Sequence, residues 1–161
     1  MGLLTSDKGG ILNKAAIRNA VEIGTIKMNP WLPQNLIDDG LLCYAAPEIA
    51  YFSEIDYIDL HIDPALTMEK KLTQITIPPE GIMLRPGIQY LISTLENIAS
   101  SRYMISVEVQ GVVQLLGATG TTLCPSPAPS PVVVPVQVMY PTKVYRDTLF
   151  FVVRFIPIVT R

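Results

Sequence analysis

Charged residues are scarce in this chain. Lys, Arg, Asp and Glu make up 16% of its 161 residues, apolar residues make up 49%, and the formal net charge is −2. So small a net charge argues against attraction to nucleic acid or to an acidic membrane surface. The low proportion of charged residues leaves little polar surface to cover a lone subunit, so we expect a sizeable interface between subunits.

Histidine and cysteine are rarer still. His61 is the one histidine in the sequence, which excludes a zinc site built from several histidines. The two cysteines, Cys43 and Cys124, are far apart in sequence, and no signal peptide precedes them. This usage favours a reducing compartment, the cytoplasm, over a disulfide-stapled secreted scaffold.

Long apolar runs are also missing. The most apolar stretch, 149–159, is too short to span a bilayer and is broken by Arg154 and Pro157, so no membrane association is expected. No internal repeat or linker divides the chain. We therefore predict a single domain over 1–161, with a flexible N-terminus at 1–10.

One good helix is predicted, over residues 11–24. Asn13 is placed to cap it, Ile17 and Ala20 recur at helical spacing, and Gly24 ends it. The remainder of the chain shows short strands with turns at the spacing typical of all-β domains. These predicted strands span residues 25–29, 53–63, 72–78, 81–86, 88–95, 103–111, 132–140 and 149–158.

Two turns and one loop stand out between these strands. Residues 85–88, Arg-Pro-Gly-Ile, suit a type II turn with Gly87 at the third position. Asp-Asp-Gly at 38–40 is a strong turn signal, which we prefer to an acidic ligand loop. Residues 124–131 are so rich in proline that they form either a loop or an extended arm, because sheets admit proline only at edges and bulges.

The predicted strand 53–63 offers one candidate metal site. Asp59, His61 and Asp63 alternate along it and share a face, and two carboxylates flanking an imidazole are able to hold a divalent cation. An exposed strand shows the same alternation of polar residues, and we favour that interpretation. No metal site is therefore predicted.

Residues 107–120, "VEVQGVVQLLGATG", contain a single charged residue, Glu108. Gly111, Gly117 and Gly120 do not form a phosphate-binding fingerprint, and no helix is predicted after them. Basic residues elsewhere are scattered and never cluster with aromatic ones, so no nucleic-acid surface is predicted.

Three stretches together resemble the dCTP deaminase and dUTPase superfamily, in particular its deaminase branch. Residues 10–30 resemble the N-terminal helix, short strand and proline of that branch. Residues 57–63 are similar to its Asp-Leu-Arg-Leu strand. The third and most specific stretch, 83–98, resembles its Leu-x-Pro-Gly and Leu-x-x-Thr-x-Glu hairpin. The matching residues in the second and third stretches are Asp59, Leu60, His61, Ile62, Leu84, Pro86, Gly87, Leu91, Thr94 and Glu96.

The resemblance covers roughly residues 10–111 and implies an all-β fold. The expected subunit is a dUTPase-like distorted β-barrel or jelly roll with one short N-terminal helix. The expected assembly is a homotrimer with nucleotide sites between subunits.

The same resemblance implies where the family's chemistry belongs. After the glycine matched by Gly111, the family has two serines and an arginine that bind phosphate, whereas this chain has valine, Gln114 and leucine. The family's aspartate-bearing turn corresponds to the proline-rich 124–131. Its catalytic glutamate corresponds to Gln137, an amide. Gly111, Gln114 and Gln137 are thus the candidate nucleotide-binding residues, and no catalytic residue is assigned.

Three functional hypotheses follow. The preferred one is a catalytically inactive trimer kept for binding, regulation or structure, with a pyrimidine deoxynucleotide as a possible ligand and no cofactor. The second is an active dCTP deaminase or dUTP diphosphatase with a rearranged site, in which magnesium enters only with the nucleotide. Its acid would come from Glu108, Asp147 or Asp59. The third is an interaction protein that uses 124–131 to bind a partner.

Overall fold

A computed structural model describes residues 10–52 and 72–158 of the chain. The predicted strand at 53–63, and nearly all of the predicted flexible N-terminus, lie outside the described residues. The described helices are α1 Lys14–Glu22 and α2 Gly111–Leu115, with a short 3-10 turn at Pro33–Asn35. The described strands are β1 Ile26–Asn29, β2 Leu36–Ile37, β3 Gly40–Phe52, β4 Leu72–Thr76, β5 Ile82–Leu84, β6 Tyr90–Thr94, β7 Asn97–Ser100, β8 Tyr103–Val109, β9 Ala118–Thr119, β10 Thr121–Cys124, β11 Val133–Val138, β12 Thr142–Val144 and β13 Leu149–Pro157. The all-β fold class is confirmed.

Helix α1 forms as its sequence predicts. The Asn13 side-chain oxygen accepts a hydrogen bond from the Ala16 backbone N–H at 2.9 Å, which satisfies one free donor of the first turn. Ile17 and Ala20 are buried against the barrel. Just past the helix, Gly24 adopts a φ of 81°, which glycine tolerates without strain. None of the helices in the described part of the chain has the length and apolarity needed to cross a membrane.

The main sheet curls into a nearly closed barrel. Its strand order is β10-β8-β13-β3-β6-β11-β9, with β2 and β4 also paired to β3. The two ends of this order, β9 and β10, are consecutive in sequence and are joined by Gly120. Two smaller antiparallel pairs, β1 with β7 and β5 with β12, lie outside the main sheet.

Gly120 is the point at which the barrel closes. Its carbonyl accepts a hydrogen bond from the Val109 N–H of β8 at 3.1 Å. On its other side, an added Cβ would lie 2.5 Å from the Pro135 carbonyl oxygen of β11. Only glycine permits so close an approach between backbones. Next to it, the Thr122 hydroxyl donates to the Val133 carbonyl at 2.9 Å, which joins β10 to β11.

The barrel interior is apolar. Three phenylalanines of β13, Phe150, Phe151 and Phe155, are among its largest fully buried side chains. The register between β13 and β3 shifts between Leu149 and Phe151, so Phe150 and its neighbour are both buried. Their rings pack edge to face with centroids 5.0 Å apart. Strand β13, which lies between β3 and β8, therefore contributes the largest fully buried aromatic side chains of the barrel core.

Strand β3 was not predicted, although it is the longest strand in the described part of the chain. Ala45, Pro47 and Glu48 are residues that strands disfavour, and they hide the pattern. The register between β3 and β6 shifts between Ala45 and Ile49, and Pro47 lies within this irregularity. Its carbonyl still accepts the Ile77 N–H at 2.7 Å. Proline is tolerated here because a bulge does not need its missing N–H.

The prediction that no helix follows Gly111 is wrong, because α2 begins there. Two valines are weak helix formers, so neither propensity nor periodicity signals a helix this short. Hydrogen bonds to a distant strand position the start of this helix. The Gln110 N–H donates to the Phe150 carbonyl at 3.0 Å, and the Gln114 N–H then donates to the Gln110 carbonyl at 3.0 Å.

We predict that Gly120→Ala destabilises the fold by about 1–3 kcal/mol, the usual cost of forcing extra volume into a packed site. The added methyl group must push the Pro135 carbonyl away from the closing seam. The measurement is the free energy of unfolding in urea. Gly111→Ala is the matched control, because nothing lies within 4 Å of the position of its added Cβ. Equal effects of the two substitutions would contradict the closing role of Gly120.

Candidate functional site

The three candidate nucleotide-binding residues lie on two elements that β9 connects. Gly111 and Gln114 belong to α2, and Gln137 belongs to β11. Strand β9 connects them, since it follows α2 and pairs Thr119 with Gln137. The Met139 N–H then donates to the Gly117 carbonyl at 2.8 Å, which fixes the end of β11 beside the residue that follows α2.

Helix α2 presents apolar side chains to solvent. Val113 packs against the core, but Val112, Leu115 and Leu116 are 66%, 88% and 65% exposed. Met139 and Tyr140, at the end of β11, are also more than 60% exposed. A Cβ added at Gly117 would lie 2.8 Å from the Met139 Cβ and 3.3 Å from the Tyr140 ring, so these two residues border the helix. We call Val112, Leu115, Leu116, Met139 and Tyr140 the apolar surface.

No ionic group is supplied by the chain that forms α2, β9 and β11. Between Val109 and Thr142 the sequence contains no Asp, Glu, Lys, Arg or His. This interval includes α2, β9, β10 and β11. A nucleotide triphosphate carries several negative charges and requires cationic or hydrogen-bonding partners. The apolar surface offers no cationic side chain, and its one strong hydrogen-bonding group is the Tyr140 hydroxyl.

Three acids were considered as substitutes for the family's missing carboxylates. Glu108 pairs with the Arg154 guanidinium, whose Nε also donates to Asp39 at 3.0 Å. Asp147 is exposed in the turn before β13. Asp59 lies outside the described residues, as do His61 and Asp63.

The Asp-Asp-Gly segment at 38–40 forms the turn between β2 and β3. The Asp38 carbonyl accepts the Lys14 N–H at 3.0 Å, and the Asp39 carboxylate pairs with Arg154. Among the residues that the structure describes, no three His, Cys, Asp or Glu side chains are grouped so that they could bind a metal ion.

Comparison with solved structures identifies the architecture. No family model matches the chain, and no characterised protein matches it by sequence. The crystal structure of 2'-deoxycytidine 5'-triphosphate deaminase from Agrobacterium tumefaciens superposes on it with a TM-score of 0.70. The match has 15% sequence identity and covers 92% of this chain. The chain has the dCTP deaminase fold.

The match covers 48% of the Agrobacterium protein, so this chain spans about half of that protein's length. At 15% identity the likeness establishes the fold and leaves the activity open, because one fold supports many functions. It confirms the fold that the resemblance to the dCTP deaminases and dUTPases implied.

The family-like hairpin residues hold this fold together. Leu84 is fully buried, and Gly87 has a φ of 81° in the predicted type II turn. Thr94 is also fully buried, with its hydroxyl donating to the Glu96 carbonyl at 2.8 Å and accepting from the Val132 N–H at 3.0 Å. The hairpin is thus tied to the start of β11 by a side chain. These matching residues stabilise the fold.

Glu96 is a carboxyl group within the barrel wall. It is 1% exposed, and its Oε1 accepts the Tyr44 N–H of β3 at 3.2 Å. Its Oε2 is buried without a hydrogen-bond partner, and the Cys43 thiol lies beside the carboxyl. Burial raises the pKa of Glu96 above its ordinary value. Burial, followed by the nearby Glu96 charge, likewise raises the pKa of Cys43, which keeps this thiol protonated and unreactive.

Gln137 is exposed on β11, and its side-chain amide donates to the Gln89 side-chain oxygen at 2.7 Å. An amide has no basic group near neutral pH and cannot take a proton from water. The Gln89–Gln137 pair can therefore form hydrogen bonds with a ligand but cannot act as a general base.

We predict that Glu96 makes the fold more stable in mild acid. A carboxyl whose pKa is raised by folding binds its proton more tightly in the folded chain, so its contribution is fully present below the unfolded pKa, near 4.5. That contribution is lost as the pH rises through the folded pKa. Relative to Glu96→Gln, the wild type should lose free energy of unfolding between pH 4.5 and neutrality.

The measurement is urea unfolding across that pH range, with the exposed Glu80→Gln as a control for general charge effects. The Glu80 variant should follow the wild-type curve. Parallel pH dependence in the wild type and Glu96→Gln would show that Glu96 does not titrate as its burial implies.

Proposed function

We propose that this chain is a catalytically inactive relative of the dCTP deaminases and dUTPases. In this proposal it serves as a homotrimer with a binding, regulatory or structural role. The observation that carries the proposal is the absence of any charged side chain between Val109 and Thr142, in the elements that form the candidate site. The fold is kept, while the groups that the family resemblance places in the phosphate site are replaced by apolar ones.

The replacement of the family's glutamate by Gln137 supports the same conclusion. Hydrolytic deamination needs a group that removes a proton from the attacking water, and the Gln89–Gln137 pair has none. The loss of the phosphate ligands and the loss of the base are chemically separate. Restoring one of them would not restore the reaction.

The engagement of Glu108 counts against a rearranged active site. Its carboxylate is paired with Arg154, which also holds Asp39, and the three residues link β8, β13 and the turn between β2 and β3. Releasing Glu108 for catalysis would break this ion-pair network. A pyrimidine deoxynucleotide, if bound at all, would be held by hydrogen bonds and by packing rather than by ionic contacts.

The apolar surface supports association of the chain with further copies of itself. Its five large side chains are exposed in the single chain, and they lie together at the candidate site. Exposed apolar clusters of this kind mark interaction surfaces. In the proposed trimer, Leu115 and Leu116 fill the cleft between subunits that a nucleotide would otherwise occupy.

We predict no turnover when the purified protein is incubated with dCTP or dUTP and magnesium. Release of ammonia, dUMP and diphosphate is followed, and an active dCTP deaminase serves as the positive control. Sustained formation of any of these products would refute the proposal of inactivity. In that event, Asp59→Ala and Glu108→Ala would identify which carboxylate supplies the chemistry.

We also predict that Leu116→Glu converts the trimer to monomer, because burying an unpaired carboxylate in an apolar interface costs several kcal/mol. Mass is measured by light scattering after size-exclusion chromatography. Ile23→Glu is the matched control, since Ile23 is 64% exposed at the end of α1 and Leu116 is 65% exposed. A wild-type monomer, or a trimer unaffected by Leu116→Glu, would rule out this interface.

A further inference from the structure

Residues 125–131, Pro-Ser-Pro-Ala-Pro-Ser-Pro, lie along β7 and do not extend away from the barrel. We call them the proline segment. The Ser100 N–H donates to the Ser126 carbonyl at 2.7 Å, and the Ile98 N–H donates to the Ser130 carbonyl at 2.9 Å. The Ser130 N–H returns a bond to the Ile98 carbonyl at 3.4 Å. These bonds occupy the edge of β7 that β1 does not use.

The Ser126 side chain strengthens this attachment. Ser126 is 7% exposed, and its hydroxyl lies 2.9 Å from the Ile98 carbonyl and 3.1 Å from the Ala128 carbonyl. The segment is therefore held to β7 by both its backbone and a buried side chain.

Proline occupies every second position of the segment, at 125, 127, 129 and 131. All four prolines are exposed. None of them has a backbone N–H, so four of the seven residues cannot donate to a strand approaching from solvent. The intervening serines provide the carbonyls that the β7 N–H groups need.

The alternating prolines cover an edge of β7 that would otherwise be open to pairing. Without the segment, the N–H groups of Ile98 and Ser100 would form an open edge next to buried apolar residues. Such edges recruit strands from other molecules, and natural proteins block them with proline, among other devices. An ordinary strand in this place would satisfy β7 but would present a new open edge of its own. Alternating proline satisfies β7 without doing so.

We propose that the proline segment is an edge cap that prevents β7 from pairing with a strand of a second copy of this chain. The cap restricts self-association to surfaces other than this edge. The inference rests on the hydrogen bonds of β7 and is independent of whether the chain is catalytically active.

The test compares two double variants. Pro127→Ala/Pro129→Ala restores two N–H groups on the capped edge, whereas Pro79→Ala/Pro141→Ala removes two exposed prolines from turns elsewhere. At increasing protein concentration, the first variant should form species of at least twice the wild-type mass, with an infrared band of intermolecular β-sheet. The control should keep the wild-type mass. A first variant that folds and keeps the wild-type mass, or equal association of both variants, would overturn the proposal.

Hydrogen exchange of the wild-type protein provides a check that does not depend on variant folding. The amides of Ile98 and Ser100 should exchange at least tenfold more slowly than the amide of the exposed residue Ala128 within the segment, because the cap covers them. Exchange of all three at similar rates would show that the segment does not hold the edge, and would also overturn the proposal.

Discussion

The closing contact between Gly120 and Pro135 is the constraint on which the barrel depends. It allows β9 and β10, consecutive in sequence, to pair with strands from opposite ends of the sheet order. Closure removes two open strand edges and seals the phenylalanines of β13 inside. Strand β9 leads from α2 into this seam, so the seam also constrains where the apolar surface lies. Fold and candidate site are thus set by the same few residues.

In the proposed function, this chain keeps the fold and loses the family's chemistry. The hairpin residues that resemble the deaminase branch, such as Thr94 and Glu96, are buried and join strands through hydrogen bonds. The positions that the resemblance assigns to phosphate binding and catalysis carry valine, leucine and glutamine. A residue that holds the barrel together cannot be exchanged without loss of stability, whereas an exposed catalytic residue can be. The separation therefore has a simple physical basis.

Much of the fold was predictable because its signals are local. The cap of α1, the type II turn at Gly87 and the strand β11 depend on neighbouring residues, and each was predicted correctly from the sequence. Strand β3 and helix α2 were missed because their causes are distant. Pro47 is tolerated only because the pairing shifts beside it, and α2 forms only because Gln110 is anchored to Phe150.

The candidate site shows the same division between local and distant signals. That α2 and β11 contain no charge could be read directly from the sequence. That Met139 and Tyr140 border α2 could not, because it depends on how Gly117 meets the end of β11. Likewise, a proline-rich composition predicts a loop or an arm, but only the register of its hydrogen bonds with β7 distinguishes the two.

The place of β13 has a consequence for how the chain reaches its native state. This strand comes last among those described, yet it lies between β3 and β8 in the main sheet. Its carbonyl at Phe155 also accepts the Leu12 N–H, a contact that joins opposite ends of the described chain. During synthesis, the edges of β3 and β8 that pair with β13 stay unpaired until residues 149–157 leave the ribosome. Such long-range pairing belongs to the slow class of folding reactions, on the order of milliseconds to seconds, and it leaves these strand edges exposed to aggregation in that interval.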